Sequence, residues 1–290
     1  MSADRLGGPA GRALAHVASS ASGPPLDPAL RVTLNFHPDR AADGQPPILE
    51  SLGKQGVYLS QFATGTSNGG LTAYPGGDRW RWESRMFDGA YDGAHPTQRP
   101  VYGALNYRRR SVGAAPRFGA AHLVLRAETL ARSTFCYPDS SLNPADVGVA
   151  QRMGLIPLAL AADVDALDDH IEAQVHGPVR LDTDVEALVL DPSHRNTQVE
   201  ELARRLPCRI MWHGGFRLTL DELARHPDYR GPRFVALGRE IAVDGLLTPR
   251  IIGEAVQSRR HDPQGLKRVW HYVARFGAPA AVSDAAASRI

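Results

Sequence analysis

The chain has 290 residues, 43% hydrophobic and 22% charged, which is enough to bury a sizeable core in one large domain or two modest ones. Lys and Arg total 33 against 31 Asp and Glu, a formal charge of +2 that is too near neutral for a general nucleic-acid or membrane-surface protein. The two cysteines, Cys136 and Cys208, make no disulfide framework or zinc site, and no apolar run reaches the roughly 20 residues of a membrane span.

Residues 1–29, rich in Ala, Gly, Ser and Pro, read as a loosely attached lead-in with at most a short helix. They lack the basic start and apolar block of a cleaved secretory signal, so the expected location is the cytoplasm, or outside the cell by a route without such a signal. Residues 32–36 alternate as a strand that delivers His37, with Arg40 three residues later. A short helix through Ile48, Leu49 and Leu52 stops at Gly53.

The stretch GVYLSQFATGTSNGG, residues 56–70, begins as a period-two strand, with Val57 and Leu59 on one face and Tyr58, Ser60 and Phe62 on the other. It then changes to Thr64, Gly65, Thr66, Ser67, Asn68, Gly69 and Gly70, a loop of hydroxyls and free backbone that a flat or anionic ligand can approach closely. Asn68-Gly69 is also an ordinary hairpin-turn signal. Residues 71–102 interleave Tyr74, Trp80, Trp82, Phe87, Tyr91 and Tyr102 with Gly, Asp and Arg at no clear period, the pattern of a long binding loop or of aromatics packed beneath one.

Arg108-Arg109-Arg110 is the dense basic patch, read as a solvated edge. Strands are expected near residues 117–125 and 133–137, then a helix capped by Asn143 and interrupted by Pro157. In IEAQVHG, residues 171–177, alternation sends Ile171, Ala173 and Val175 to the core and Glu172, Gln174 and His176 to an open face. A strand at 184–190, a helix at 197–206, a strand at 208–212 and helices at 218–226, 248–256 and 264–276 complete the pattern.

The motifs NFHPDR, GVYLSQFATGTSNGG and IEAQVHG, in that order, resemble the three-part signature of the ADP-ribosyltransferase superfamily. Together with RPVYGALN and PRFGAAHLVL, they look like a bacterial family catalogued as a domain of unknown function that includes effectors modifying a threonine of ubiquitin. The resemblance implies an α+β fold, a split β-sandwich with helical additions and an NAD cleft between two small sheets. It divides the chain into a lead-in at 1–30, a catalytic domain at 31–220 and a C-terminal helical extension at 221–290.

By that resemblance, His37 or Arg40 takes the NAD ribose or phosphate, Thr66 and Ser67 shape the cleft beside Thr64, and Glu172 is catalytic. Tyr58 or a loop aromatic is placed to stack on the nicotinamide. The chemistry agrees: cleaving nicotinamide from ribose builds positive charge that a fixed carboxylate such as Glu172 stabilises, and the Arg40 fork suits a pyrophosphate. The acceptor base is left open among Glu172, His176 and Glu83.

The expected activity is thus NAD-dependent mono-ADP-ribosylation of a protein hydroxyl, with ubiquitin as the suggested partner, NAD as co-substrate and no metal. The alternatives are an NAD glycohydrolase or a module that binds NAD, ADP-ribose or ubiquitin without turnover. A metal hydrolase on His37, Asp39, His176 and His213 is weaker, because no pair has the helical spacing of a metal site.

Overall fold

The computed structural model describes residues 6–41, 46–65 and 71–279. The fold is mixed α and β, built on one large sheet. In chain order the elements are α1 (Gly8–Ser20), β1 (Val32–Phe36), α2 (Ile48–Gln55), β2 (Val57–Tyr58), α3 (Gln61–Thr64), α4 (Asp78–Met86) and β3 (Val101–Leu105). There follow β4 (Ala121–Leu125), β5 (Ser133–Tyr137), β6 (Asp146–Val149), α5 (Leu155–Ala161), β7 (Ile171–Val175), β8 (Val179–Arg180) and β9 (Val185–Leu190). The chain closes with α6 (Gln198–Ala203), β10 (Arg209–Trp212), β11 (Leu218–Thr219), α7 (Leu220–Ala224), α8 (Pro232–Ile241), β12 (Leu246–Leu247), α9 (Pro249–Gln257) and α10 (Pro263–Phe276).

The main sheet runs β10-β9-β4-β1-β3-β7-β5-β6, antiparallel except between β10 and β9. The sheet is continuous, and its shortest ladder joins β1 to β3, which part beyond Thr33 and Ala104. β3 and β7 pair along their full lengths, and β1 pairs with β4 from Thr33 to Phe36. In contrast, β1 meets β3 only where Val32 faces Leu105 and Thr33 faces Ala104. Where that ladder ends, Leu34 lies against Gly103, and a Cβ there would stand 2.4 Å from Leu34 Cδ2. The glycine thus lets a core side chain wedge between the strands.

One face of the sheet is apolar: Val32, Leu34 and Phe36 join Leu105, Leu123, Phe135, Ile171 and Val175 under α2, α5 and α6. The opposite face is also covered. α1 and α4 bury Ala13, Leu14, Val17, Trp82 and Phe87 against the β5–β6 end, while Val112, Phe216, Trp270 and Val273 pack with α8, α9 and α10 over the β1–β4 end. The face that carries Glu172, Gln174 and His176, expected to be open, is therefore buried, and its polar groups must find partners inside the protein.

Several local expectations are overturned. The strand at residue 57 stops at Tyr58, because Ser60 turns to cap α3 and accepts a bond from the Ala63 amide. Residues 78–86 are a helix rather than a long loop; its buried face carries Arg79, Trp82 and Glu83, so no apolar stripe announced it. Asn143 adopts a left-handed conformation that ends a turn over Ser140–Leu142, and a strand, β6, follows in place of a helix. Pro157 does not break α5, because it sits in the first turn, where no intrahelical acceptor waits for its missing N–H. The lead-in contributes a packed 13-residue helix, α1. The three arginines of 108–110 do lie at a solvated edge, where they pair with Asp169 and Asp27.

Gly119 ends the PRFG turn against β1, and its carbonyl accepts a bond from Asn35 Nδ2 at 3.2 Å. A Cβ there would lie 2.0 Å from the Phe36 carbonyl carbon, which backbone cannot yield. Gly119→Ala should cost about 3 kcal/mol of stability, read from the urea unfolding midpoint. A variant as stable as the parent would show that the turn has room to shift.

Candidate active site

Glu172 stands on the row Thr33, Ala104, Glu172, Cys136, so these four side chains share the buried polar face at the closed end of the split. Its carboxylate accepts from Ser140 Oγ at 2.8 Å and from Gln174 Nε2 at 3.0 Å, and Arg79 lies 3.7 Å away as an ion pair. Arg79 also donates to Ser140 Oγ at 2.6 Å and lies over the Tyr102 ring at 4.0 Å. The carboxylate is 9% exposed, so the cluster retains a narrow contact with solvent. The neighbouring Cys136 thiol is pushed up by burial and then by Glu172, which leaves it neutral and a poor nucleophile.

Gln174 and His176 continue the polar row inward. Gln174 Oε1 accepts from Thr134, whose hydroxyl also meets His176 Nε2 at 3.0 Å. The other imidazole nitrogen meets the Tyr91 hydroxyl at 2.7 Å, and the two rings are stacked. Burial, aided by Arg132, pulls His176 down to about 3. With both nitrogens engaged and no charge at neutral pH, His176 ties the end of β7 to Thr134 and Tyr91 and leaves no ring nitrogen free.

Behind Arg79 lies a buried ion pair, Glu83 with Arg99 at 2.5 Å, to which the Tyr102 hydroxyl adds a bond at 2.8 Å. Arg99 also donates to the Tyr91 carbonyl at 2.8 Å and lies over the Phe62 ring. Burial pushes Glu83 up to about 7, against the pull of Arg99, Tyr102 and Arg79. From the ordinary 4.5 up to that value the native state holds a proton that the unfolded chain has released, so this group's contribution to stability falls as pH rises. Glu83→Gln should flatten that slope between pH about 5 and about 7, measured by urea unfolding at each pH. An unchanged slope would assign it to other groups.

His37 lies at the other end of β1. It is four residues beyond Thr33, and so about 13 Å along the strand from the Glu172 row. Its ring meets Trp270 edge-on at 5.0 Å, and burial, followed by Arg40, His194, His271 and Lys267, holds it well below the ordinary histidine value. Arg40 closes the turn through its amide to the His37 carbonyl at 3.4 Å, and its Nε is buried without a hydrogen-bond partner among the described residues. Asp39, between them, is raised by burial.

Tyr58 belongs to the small β2–β8 sheet and packs on Phe36, on the apolar face, away from the Glu172 row; burial pushes it up to about 12. Thr64 ends α3, its hydroxyl directed to the Ser60 and Gln61 carbonyls. Thr66 and Ser67 lie outside the described residues. Among the expected site residues, then, His37 and Arg40 share one end of the split and Glu172 the other, and among the described residues no hydrogen bond or ion pair joins the two ends.

Of the residues that surround Glu172, Gln174 was read onto its face, but the others were not singled out by sequence. Arg79, Asp139 and Ser140 come from α4 and the turn after β5, and only the three-dimensional path brings them together. His170 had a readable signal, since it precedes Glu172 by two positions and so shares its face. Among the described residues no group of three His, Cys, Asp or Glu side chains is arranged to hold a metal ion. No curated protein matches the chain. A family model matches residues 31–165 and 161–275, most of the chain, and the protein accordingly belongs to the family described as "Protein of unknown function (DUF3626)".

Proposed function

We propose that the protein is an NAD-dependent mono-ADP-ribosyltransferase of the split β-sandwich type, with Glu172 as its catalytic carboxylate and a protein hydroxyl as acceptor. The observation that carries this reading is the buried acid at the closed end of the split: Glu172 is held by Ser140, Gln174 and Arg79 on the face where β1 and β3 part.

The side chains fit the co-substrate at both ends. Arg40, with its buried unpartnered Nε, and His37 offer donors to the phosphate side of the dinucleotide, and a dinucleotide is long enough to reach from there to the Glu172 row. Ser140 and Gln174 fix the carboxylate before the ligand arrives, so it needs little reorganisation to bond a ribose hydroxyl. When the bond to nicotinamide breaks, that fixed negative charge opposes the positive charge that develops on the ribose. Tyr102, held by Glu83 and covered by Arg79, is among the loop aromatics that the sequence offered beside Tyr58, and it lies in the hydrogen-bonded chain that reaches the acid.

The test is to incubate the full chain with NAD labelled in its adenylate, with and without ubiquitin, and to follow protein-bound label and free nicotinamide. Label on ubiquitin would support both the transfer and the acceptor. Nicotinamide release with label on neither protein would reduce the activity to NAD hydrolysis. The absence of both signals from a folded sample would overturn the enzymatic reading in favour of a binding module.

A further inference from the structure

His170 immediately precedes β7 and lies on the Glu172 side of the sheet. It is 2% exposed, and neither ring nitrogen has a hydrogen-bond partner among the described residues. An imidazole buried this way leaves both of its polar groups unmet, which is costly unless the site uses them. The Phe118 ring meets it edge-on at 5.5 Å, and Asp139 Oδ2 lies 3.6 Å from Nε2. Burial raises Asp139, but the Ser141 hydroxyl, His170, the Ser141 amide and Arg117 outweigh it, so the carboxylate stays below its ordinary value and charged. Ser140, the next residue, donates to Glu172, so Asp139, His170 and Glu172 form one cluster.

Among the described residues His194 also has an unpartnered Nε2 and nearby anions, Asp39 and Asp191, but it lies by His37, at the end of β1 away from Glu172. His271 also has two unpartnered nitrogens, but its charged neighbours Arg117, Arg230, Arg268 and Lys267 are all cations, and with burial they hold it down to about 3. His176 has both nitrogens engaged, and Glu83 is committed to Arg99 and Tyr102. A general base needs a free nitrogen and an anion to stabilise the cation it becomes.

We propose that His170, oriented by Asp139, is the catalytic base that deprotonates the acceptor hydroxyl; the assignment rests on the transferase reading above. Asp139 faces Nε2, which leaves Nδ1 to accept the proton. The hydroxyl oxygen bonds to ribose C1′ of NAD as the bond from C1′ to nicotinamide breaks. That bonding pair leaves on the nicotinamide nitrogen and discharges its positive charge, and the hydroxyl proton passes to His170 and then to solvent. Glu172 stabilises the ribose and stays unprotonated throughout.

Methanol serves as the probe hydroxyl, so the test needs no protein acceptor. The full chain, His170→Ala and His170→Gln are incubated with NAD and methanol, and methyl-ADP-ribose and nicotinamide are both followed, with NAD affinity measured separately. Methyl-ADP-ribose formation should fall about 100-fold in both variants with NAD affinity unchanged, and added imidazole should restore part of it in His170→Ala but not in His170→Gln. A wild-type rate in His170→Ala, or a loss in the folded variant that imidazole does not relieve, overturns the base assignment while the transferase reading stands. Wild-type protein that releases no nicotinamide overturns that reading, and the base with it.

Discussion

Glu172→Gln should lower the rate of nicotinamide release from NAD by a factor of about 100 to 1,000, the usual cost of removing one preorganised group that stabilises charge in the transition state. The amide keeps the size of the carboxylate, and Ser140 Oγ can still donate to its oxygen. Arg79 loses one anion but keeps Ser140 and the Tyr102 face, so the cluster should stay assembled. The charge that opposes the ribose cation is gone. Since the carboxylate matters most once positive charge has developed, the loss should appear in kcat, with NAD affinity little changed. A loss confined to affinity would make Glu172 a binding residue.

Arg99→Ala should destabilise the fold by about 3 to 5 kcal/mol, the range for stranding one member of a buried ion pair. Glu83 is 0% exposed, and among the described residues Arg99 is the cation that forms a salt bridge with it. The truncation also removes the bond to the Tyr91 carbonyl and the contact with Phe62. Combining Arg99→Leu with Glu83→Gln should recover part of the loss, because the double variant leaves no buried charge unpaired and keeps a group that can accept from Tyr102. Urea unfolding of the single and double variants measures both effects. A loss in Arg99→Ala below about 1 kcal/mol, the level of an exposed pair, would mean that water already reaches Glu83.

The strands were legible because their alternation is simple: residues 32–36 and 133–137 were expected where they occur, and the strand of Glu172 followed from IEAQV. That reading placed Glu172, Gln174 and His176 on one face and expected it open, because the α1 and α4 layer that covers it comes from segments that read as a loose lead-in and a loop. α4 was hidden by its own chemistry, since its inward positions include Arg79 and Glu83, charges that pay for burial only through partners far away in sequence. The strand after Gly56 was read past Tyr58 because a strand pattern cannot foresee that Ser60 will cap a helix. The narrow join between β1 and β3 had no sequence signal except Gly103, whose missing side chain is meaningful only once Leu34 is seen against it.

The most direct measurement is a crystal structure of the Glu172→Gln protein with NAD bound, since the slowed variant should hold the intact dinucleotide. The account predicts a nicotinamide ribose hydroxyl within about 3.2 Å of the residue 172 side chain, with the phosphates toward Arg40 and His37. A dinucleotide bound away from the split, or reversed so that its adenine end meets residue 172, would contradict it.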